Sequence, residues 1–373
     1  MRIAFLVTYL LGIGHLARTA RAADAFAAAG HDALVISGGM PAPLASVKTA
    51  EFHQLTPVRS DTTFTKLFDA EGEIASDALL ASRIEDIGRQ IDAFAPDVLV
   101  TELFPLGRRK LAGEFEAALR MADGALTLAA LRDILQLPYK PGRKEEAEAY
   151  LDQYYHGILF HGDSGLIGLS DSWSLPPSLD IPILETGYIG SSVVEPADGN
   201  DGTGEIIVAA GSSGVGNALF RSAVEAAARR PDTRWRLLIG GADPATRIAG
   251  LGTLPPNLIA ERTRPDFRAM LTRCDAAILQ CGYNTAMDVI ATGVRAVFCP
   301  FEEGGETEQL QRARAMAARF NSSVVREQDL SAPALLTAID SCITAPRPDF
   351  SGLKLDGATR SVELVEATLA ARR

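Results

Sequence analysis

Three short stretches concentrate residue types that can do chemistry. The first is Gly12-Ile13-Gly14-His15-Leu16-Ala17-Arg18, which follows an apolar run and opens an amphipathic one. Small residues there let another molecule approach the backbone, and a helix start offers unpaired N–H groups to an anion. Imidazole titrates near neutrality and can take a proton from a hydroxyl nucleophile, so His15 is either a general base or a helix-terminal histidine bonded to a nearby carbonyl. The third glycine of a G-x-G-x-x-G fingerprint is replaced by Ala17, which argues against a dinucleotide site. His31, just after Gly30, reads instead as a helix C-cap.

The second stretch is Gly211-Ser212-Ser213-Gly214-Val215-Gly216. Its amides and hydroxyls suit a phosphate, or the segment is simply a tight strand-to-helix turn; there is no G-x-x-x-x-G-K-[ST], so a P-loop nucleotidase is not supported. The third is Gln280-Cys281-Gly282-Tyr283-Asn284-Thr285-Ala286-Met287-Asp288, with Glu308-Gln309 further on. Gly282 ends an apolar run and Asn284 and Thr285 open a helix, whose positive end would face a diphosphate. Asp288 lies one turn deeper on the same face and suits ribose hydroxyls, while Glu308 and Gln309 suit sugar hydroxyls. The plainer reading is an Asn284 cap with ordinary exposed carboxylates.

Positioning such loops requires strands that end where helices begin. Apolar runs at residues 3–8, 32–37, 97–102, 125–129, 157–160 and 182–188 alternate with amphipathic stretches at 15–29, 74–94, 109–122 and 144–155. That alternation predicts a doubly wound parallel α/β sheet. Residues 195–204 are nearly free of apolar side chains and dense in turn formers, which marks a linker at 196–204 between domains 1–195 and 205–373. Beyond it the alternation restarts, with strands at 206–210, 235–239, 258–262, 276–280 and 296–299 and helices at 217–230, 266–273, 284–291 and 306–320. A last helix at 357–371 either stays with the second domain or packs back on the first.

Size and composition agree. At 373 residues the chain exceeds what one core supports, and 47% hydrophobic residues suffice to fill two. A net charge of −11 argues against nucleic acid as a partner, since non-specific affinity for it comes from Lys and Arg on phosphates. Four cysteines without C-x-x-C spacing predict neither a zinc site nor a disulfide framework, which fits the cytoplasm. Residues 1–11 are too short to span a bilayer and read as a first strand.

These motifs resemble the donor half of GT-B glycosyltransferases, particularly the family of the peptidoglycan lipid-intermediate GlcNAc transferase. Cys281 to Thr285 stands for the G-G-x-N-S of the signature H-G-G-x-N-S-x-x-E, Asp288 for its ribose-binding Glu, and Glu308-Gln309 for the pair on the donor sugar. Gln280 replaces the signature His, and Asp288 is one methylene shorter than Glu. Gly12, Gly14 and His15 match the first-domain G-x-G-H of that family. Leu131-Arg132-Asp133-Ile134 and residues 96–102 resemble a group of predicted bacterial glycosyltransferases, within which Glu102 and Asp133 end strands beside the acceptor, or form structural ion pairs with an Arg such as Arg132.

The resemblance implies two tandem Rossmann-like domains facing a cleft. It implies a metal-independent, inverting transfer from a nucleotide diphosphate sugar, UDP-sugar foremost, to an unknown acceptor hydroxyl, with no cofactor beyond the donor. His15, Glu102 and Asp133 would serve catalysis; Gly211, Ser212, Ser213, Gly214, Gln280, Gly282, Asn284, Thr285, Asp288, Glu308 and Gln309 the donor; Gly12, Gly14 and Arg18 the acceptor. A nucleotide-sugar hydrolase and a non-hydrolysing epimerase are the alternatives. No integral membrane segment is expected; Leu10, Leu11, Phe64, Leu67, Phe68 and Phe104, rimmed by Arg108, Arg109 and Lys110, are either a peripheral membrane patch or core.

Overall fold

The computed structural model describes every residue except 43, 44, 46, 62–64, 137–139, 191–193, 212, 213, 242 and 373. Continuous apolar strands are stable only where both faces of a sheet are covered. In β1 (Arg2–Val7) every residue but the first is buried. The chain continues through α1 (Gly14–Ala28), β2 (Asp32–Ser37), β3 (Glu51–Gln54), a hairpin of β4 (Arg59–Ser60) and β5 (Leu67–Phe68), α2 (Asp77–Phe94), β6 (Val98–Glu102), α3 (Ala112–Met121), β7 (Leu126–Arg132), α4 (Arg143–Tyr154), β8 (Gly157–His161) and β9 (Ile183–Glu185). Seven of these strands form one sheet in the order β3-β2-β1-β6-β7-β8-β9, all parallel. The order reverses between β1 and β6, and at such switch points open α/β sheets bind their ligands.

The second sheet repeats the pattern. It follows β10 (Glu205–Ala209), α5 (Asn217–Ala228), β11 (Arg234–Ile239), α6 (Pro244–Ala249), β12 (Leu258–Arg262), α7 (Phe267–Arg273), β13 (Ala276–Leu279), α8 (Tyr283–Thr292), β14 (Ala296–Phe298), α9 (Glu308–Arg319), β15 (Ser323–Val324) and α10 (Ala332–Thr344). The parallel order β12-β11-β10-β13-β14-β15 puts its switch point between β10 and β13. The chain closes with α11 (Gly357–Arg372).

The chain divides into Met1–Ile189 with Lys354–Arg373, and Gly190–Leu353. The turn-rich segment 195–204 therefore lies inside the second unit instead of between units. Arginines explain this: Asp201 pairs with Arg236 and Arg264, and Arg273 donates to the carbonyls of Ala197 and Gly199. In the first unit Tyr188 N–H donates to Lys354 O at 2.8 Å, and α11 buries Val362 and Val365 in one core with Ala22, Ala23 and Phe26 of α1.

Several element limits differ from those read in the sequence. Helix α2 starts at Asp77 instead of residue 74 because the Ser76 hydroxyl caps it, accepting from Leu79 N–H. Strands β7 and β8 run on to Arg132 and His161, so both polar side chains stand at strand ends. The sequence pattern gave no sign of β3, whose Glu51, Phe52, His53 and Gln54 are polar or exposed and lack an apolar run. Helix α10 was also unforeseen, although Ser331 caps it and Pro333 sits in its first turn.

One buried ion pair fixes the rim of the first sheet. Arg83 of α2, wholly buried, meets Glu114 of α3 through Nε at 2.6 Å and Nη2 at 2.8 Å. Its Nη1 donates to Gly38 O at 3.0 Å, and a Cβ on Gly38 would lie 2.4 Å from Arg83 Nη2. Glu114→Ala would leave the guanidinium buried without its carboxylate, so urea denaturation should show a loss of about 3–5 kcal/mol. A loss within about 1 kcal/mol would show that the pair does not hold this rim.

Candidate active site

Helix α1 begins at Gly14 without a side-chain cap, so its first amides have no intrahelical acceptors. A Cβ on Gly12 would meet nothing within 4 Å, which leaves open space at the loop. His15 and Arg18 are three residues apart on α1 and share a face. They converge on Glu102, the last residue of β6, at the carboxyl ends of β1 and β6.

His15 Nδ1 lies 2.7 Å from Glu102 Oε1. Arg18 Nη2 donates to the same oxygen and lies 3.2 Å from His15 Nδ1. The shared carboxylate accepts from both only if Nδ1 carries the proton, and Nε2 is then the unprotonated nitrogen. Arg18 and Glu102 are buried, while His15 keeps 14% of its side chain exposed.

Burial and the Arg108 charge push the His15 pKa down to about 3, against the opposing pull of Glu102. Burial would raise Glu102, but Arg18 and the His15 hydrogen bond outweigh it and hold the carboxyl down at about 2. The pair is therefore a neutral imidazole beside a carboxylate at neutral pH. His161, at the end of β8, is kept neutral by burial and the Arg18 charge, at about 3, and its Nδ1 lies 2.9 Å from Thr186 Oγ1.

Asp133 follows β7 and is fully buried, its Oδ1 accepting the Ile134 N–H at 3.0 Å. The described residues of the candidate apolar patch do not share one surface: Phe68 is half-buried. Leu10, Leu67 and Phe104 are buried in the core, Phe104 stacked on Phe115 of α3, whereas Leu11 is exposed. Phe64 lies outside the described residues. Of the basic rim, Arg108 and Arg109 are half-buried and Lys110 is exposed.

In the second unit the equivalent strand ends carry the other motifs. Of the loop after β10, Ser212 and Ser213 lie outside the described residues. Gly211 and Gly216 adopt φ of +72° and +90°, and a Cβ at Gly216 would lie 2.4 Å from Ala210 Cβ, so this tight entry to α5 needs glycine. Arg247 braces the loop, donating to Val215 O at 2.7 Å and to Asn217 Oδ1 at 2.8 Å. A cavity of about 350 Å³ lies here, lined among others by Gly214, Gly216, Asn217, Gln280, Phe301 and Glu303.

Helix α8 takes Gly282 as its N-cap, so Asn284 lies inside the first turn and does not cap it. Its Oδ1 is buried and has no hydrogen-bond partner among the described residues. Thr285 follows in the same turn. Asp288 lies 3.2 Å from Arg268 Nε of α7. Gln309 Oε1 accepts from the amides of Cys281 at 3.0 Å and Phe301 at 3.2 Å. Glu308 pairs with buried Arg312 at 2.8 Å, and Arg312 also donates to Cys281 O at 2.7 Å. Glu308 and Gln309 thus tie together the loops after β13 and β14. Arg247, Arg268 and Arg312 were missed in the sequence because isolated arginines carry no motif, and Arg108 was read only as a rim charge.

Among the described residues no three His, Cys, Asp or Glu side chains gather where they could hold a metal ion. No described helix is long and apolar enough to cross a membrane.

Two parallel sheets of Rossmann-like strand order in one chain define the GT-B architecture. No family model matches the sequence, and no curated protein matches it. Solved structures do match over nearly the whole chain. The calicheamicin glycosyltransferase CalG4 superposes with TM-score 0.65 at 16% identity, over 99% of this chain and 98% of that one. MurG of Acinetobacter baumannii does so with TM-score 0.64 at 14% identity, over 98% and 100%. The glycosyltransferase VinC, solved in complex with dTDP, has TM-score 0.63 at 16% identity over 100% of both chains. The fold is thus that of GT-B glycosyltransferases.

The depressed pKa values have a stability consequence. Between about pH 6.5 and 3 an unfolded His15 binds a proton that the folded one refuses, so its contribution is intact above 6.5 and lost on acidification. Glu102 acts in the same direction between about 4.5 and 2. His15→Gln should therefore lose less stability than the wild type from pH 7 to 4, by about 1–3 kcal/mol in urea melts. Equal losses would mean that His15 titrates normally.

Proposed function

We propose that this protein is an inverting glycosyltransferase that moves a sugar from a UDP-sugar to an acceptor hydroxyl without a metal ion. The observation that supports it most is the neutral His15 imidazole, bonded through Nδ1 to Glu102 at a switch point of the fold. The acceptor hydroxyl gives its proton to His15 Nε2 as its oxygen attacks the anomeric carbon. The bond to the diphosphate breaks on the opposite face, which inverts the configuration. Glu102 stays ionised, stabilises the imidazolium and keeps Nε2 as the accepting atom.

The departing diphosphate gains negative charge, and in this reading the amides at the starts of α5 and α8 receive it. Such donors need no reorganisation during the reaction. We assign Asp288, fixed by Arg268, to the ribose hydroxyls, and Asn284, with Gln280, to the phosphate side of the cavity. Glu308 is engaged with Arg312, so its part is to hold the loop that faces the donor; Gln309 keeps its Nε2 for the sugar. Asp133, fully buried, is assigned to holding the turn after β7. The four free, buried cysteines suit a reducing cytoplasm, where we place the reaction.

Calorimetric titration with UDP-, dTDP- and GDP-sugars tests the donor. UDP-sugar should bind best with EDTA present, and failure of all three to bind would refute the reading. Asp288→Ala should weaken binding by about tenfold. His15→Ala should lower kcat by about 10²–10⁴ while leaving UDP affinity unchanged. Release of free sugar, or of an epimerised donor, without any acceptor would point to hydrolysis or epimerisation.

A further inference from the structure

The loop that follows Glu102 presents an arginine that the mechanism above does not use. Residues 103–108 turn tightly, with Gly107 N–H donating to Leu103 O at 2.8 Å. Both ends are held in the left-handed region, Leu103 at φ +68° and Arg108 at φ +61°. A residue with a Cβ is disfavoured there, and such strain persists only where the surroundings impose it. The Arg108 side chain that leaves this loop is half-buried and lies within electrostatic reach of Glu102 and His15.

Arg108 Nε is buried without a hydrogen bond, and its side chain makes no contact ion pair among the described residues. Glu102, at the switch point, is engaged by Arg18 and His15. Arg132 ends the next strand, in register with His161, while Ala130 is in register with Glu102. Arg18, Arg132 and Glu102 all lie within electrostatic reach of Arg108, and His15 and His161 are neutral. Burial, Arg132 and Arg18 press the Arg108 pKa down to about 10 against the pull of Glu102. After burial, Arg108 is also the largest influence holding His15 neutral. A half-buried cation beside other cations is costly until an anion joins it.

We propose that Arg108, with Arg132 beside it, is an oxyanion subsite next to His15, so that the acceptor carries a phosphate or carboxylate close to the hydroxyl that is glycosylated. Guanidinium groups suit both anions through bidentate hydrogen bonds. This rests on the assignment of His15 to the acceptor side, yet anion binding can be measured without turnover. The subsite would exclude acceptors that offer a hydroxyl alone, because they would leave Arg108 unpaired.

The test follows the His15 ring signals by NMR in the full-length protein, titrated with sodium phosphate, with sodium acetate, and with sodium chloride at matched ionic strength. Phosphate or acetate should shift the His15 signals saturably and raise its pKa, since a bound anion offsets the Arg108 charge; chloride should not. Saturation by phosphate alone would specify a phosphorylated acceptor, and by acetate alone a carboxylated one. Arg108→Ala should weaken the effect by about tenfold or more, and Arg108→Lys should keep part of it. Arg132→Ala, which leaves the strained loop intact, should weaken it as well. No shift with either anion, or equal affinity in the Arg108 and Arg132 variants, would overturn the subsite. UDP binding, measured on the same samples, reports separately on the donor reading: its loss with anion binding intact would refute the transferase and leave the subsite standing.

Discussion

The first unit depends on one shared oxygen. Glu102 Oε1 accepts from His15 Nδ1 and from Arg18, and all three groups are largely out of water. An isolated carboxylate in that position would cost several kcal/mol, so the two donors are a condition for an ionised Glu102. Their convergence also fixes geometry. It ties the first turn of α1 to the end of β6 across β1, sets the imidazole tautomer, and leaves Nε2 as the basic atom. A histidine held far below its ordinary range stays in its neutral form throughout the physiological window, with a correspondingly weaker basicity.

The second unit solves a related problem with the backbone. Its candidate anion-binding groups are helix starts, which are useful only if the loops that precede them hold their shape. Arg247 clamps the turn into α5; Arg312, Glu308 and Gln309 clamp the turn into α8 to the loop after β14. Side chains that the sequence suggests as ligand contacts thus serve first to brace the helix starts. In the proposed reading, a chain of net charge −11 would bind a diphosphate through amides and a few placed arginines that carry the local positive potential.

Fold class and the loops at both switch points were legible in the sequence because their signals are local. A buried parallel strand is a continuous apolar run, as in residues 3–8, and a strand-to-helix turn shows its glycines, as at Gly12 and Gly216. The polar edge strand β3 was not legible, since its pairing with β2 comes from topology alone. Nor was the place of α11, because the same amphipathic pattern could cover either sheet. Within the site, His15 stood out by residue type, but its bond to Glu102 joins residues 87 apart, and only the β1–β6 pairing explains it. The arginines were least legible: Arg108 acts through a left-handed backbone that no residue of its kind announces.

The chemistry of this rim turns on the state of one ring. Titration of ¹⁵N-labelled His15 by NMR, from pH 8 downward, reads both its charge and its tautomer. The account predicts a neutral imidazole with the proton on Nδ1 that persists well below pH 6.5, toward about 3 if the fold survives. A ring that titrates near 6.5, or that carries its neutral-form proton on Nε2, would contradict it.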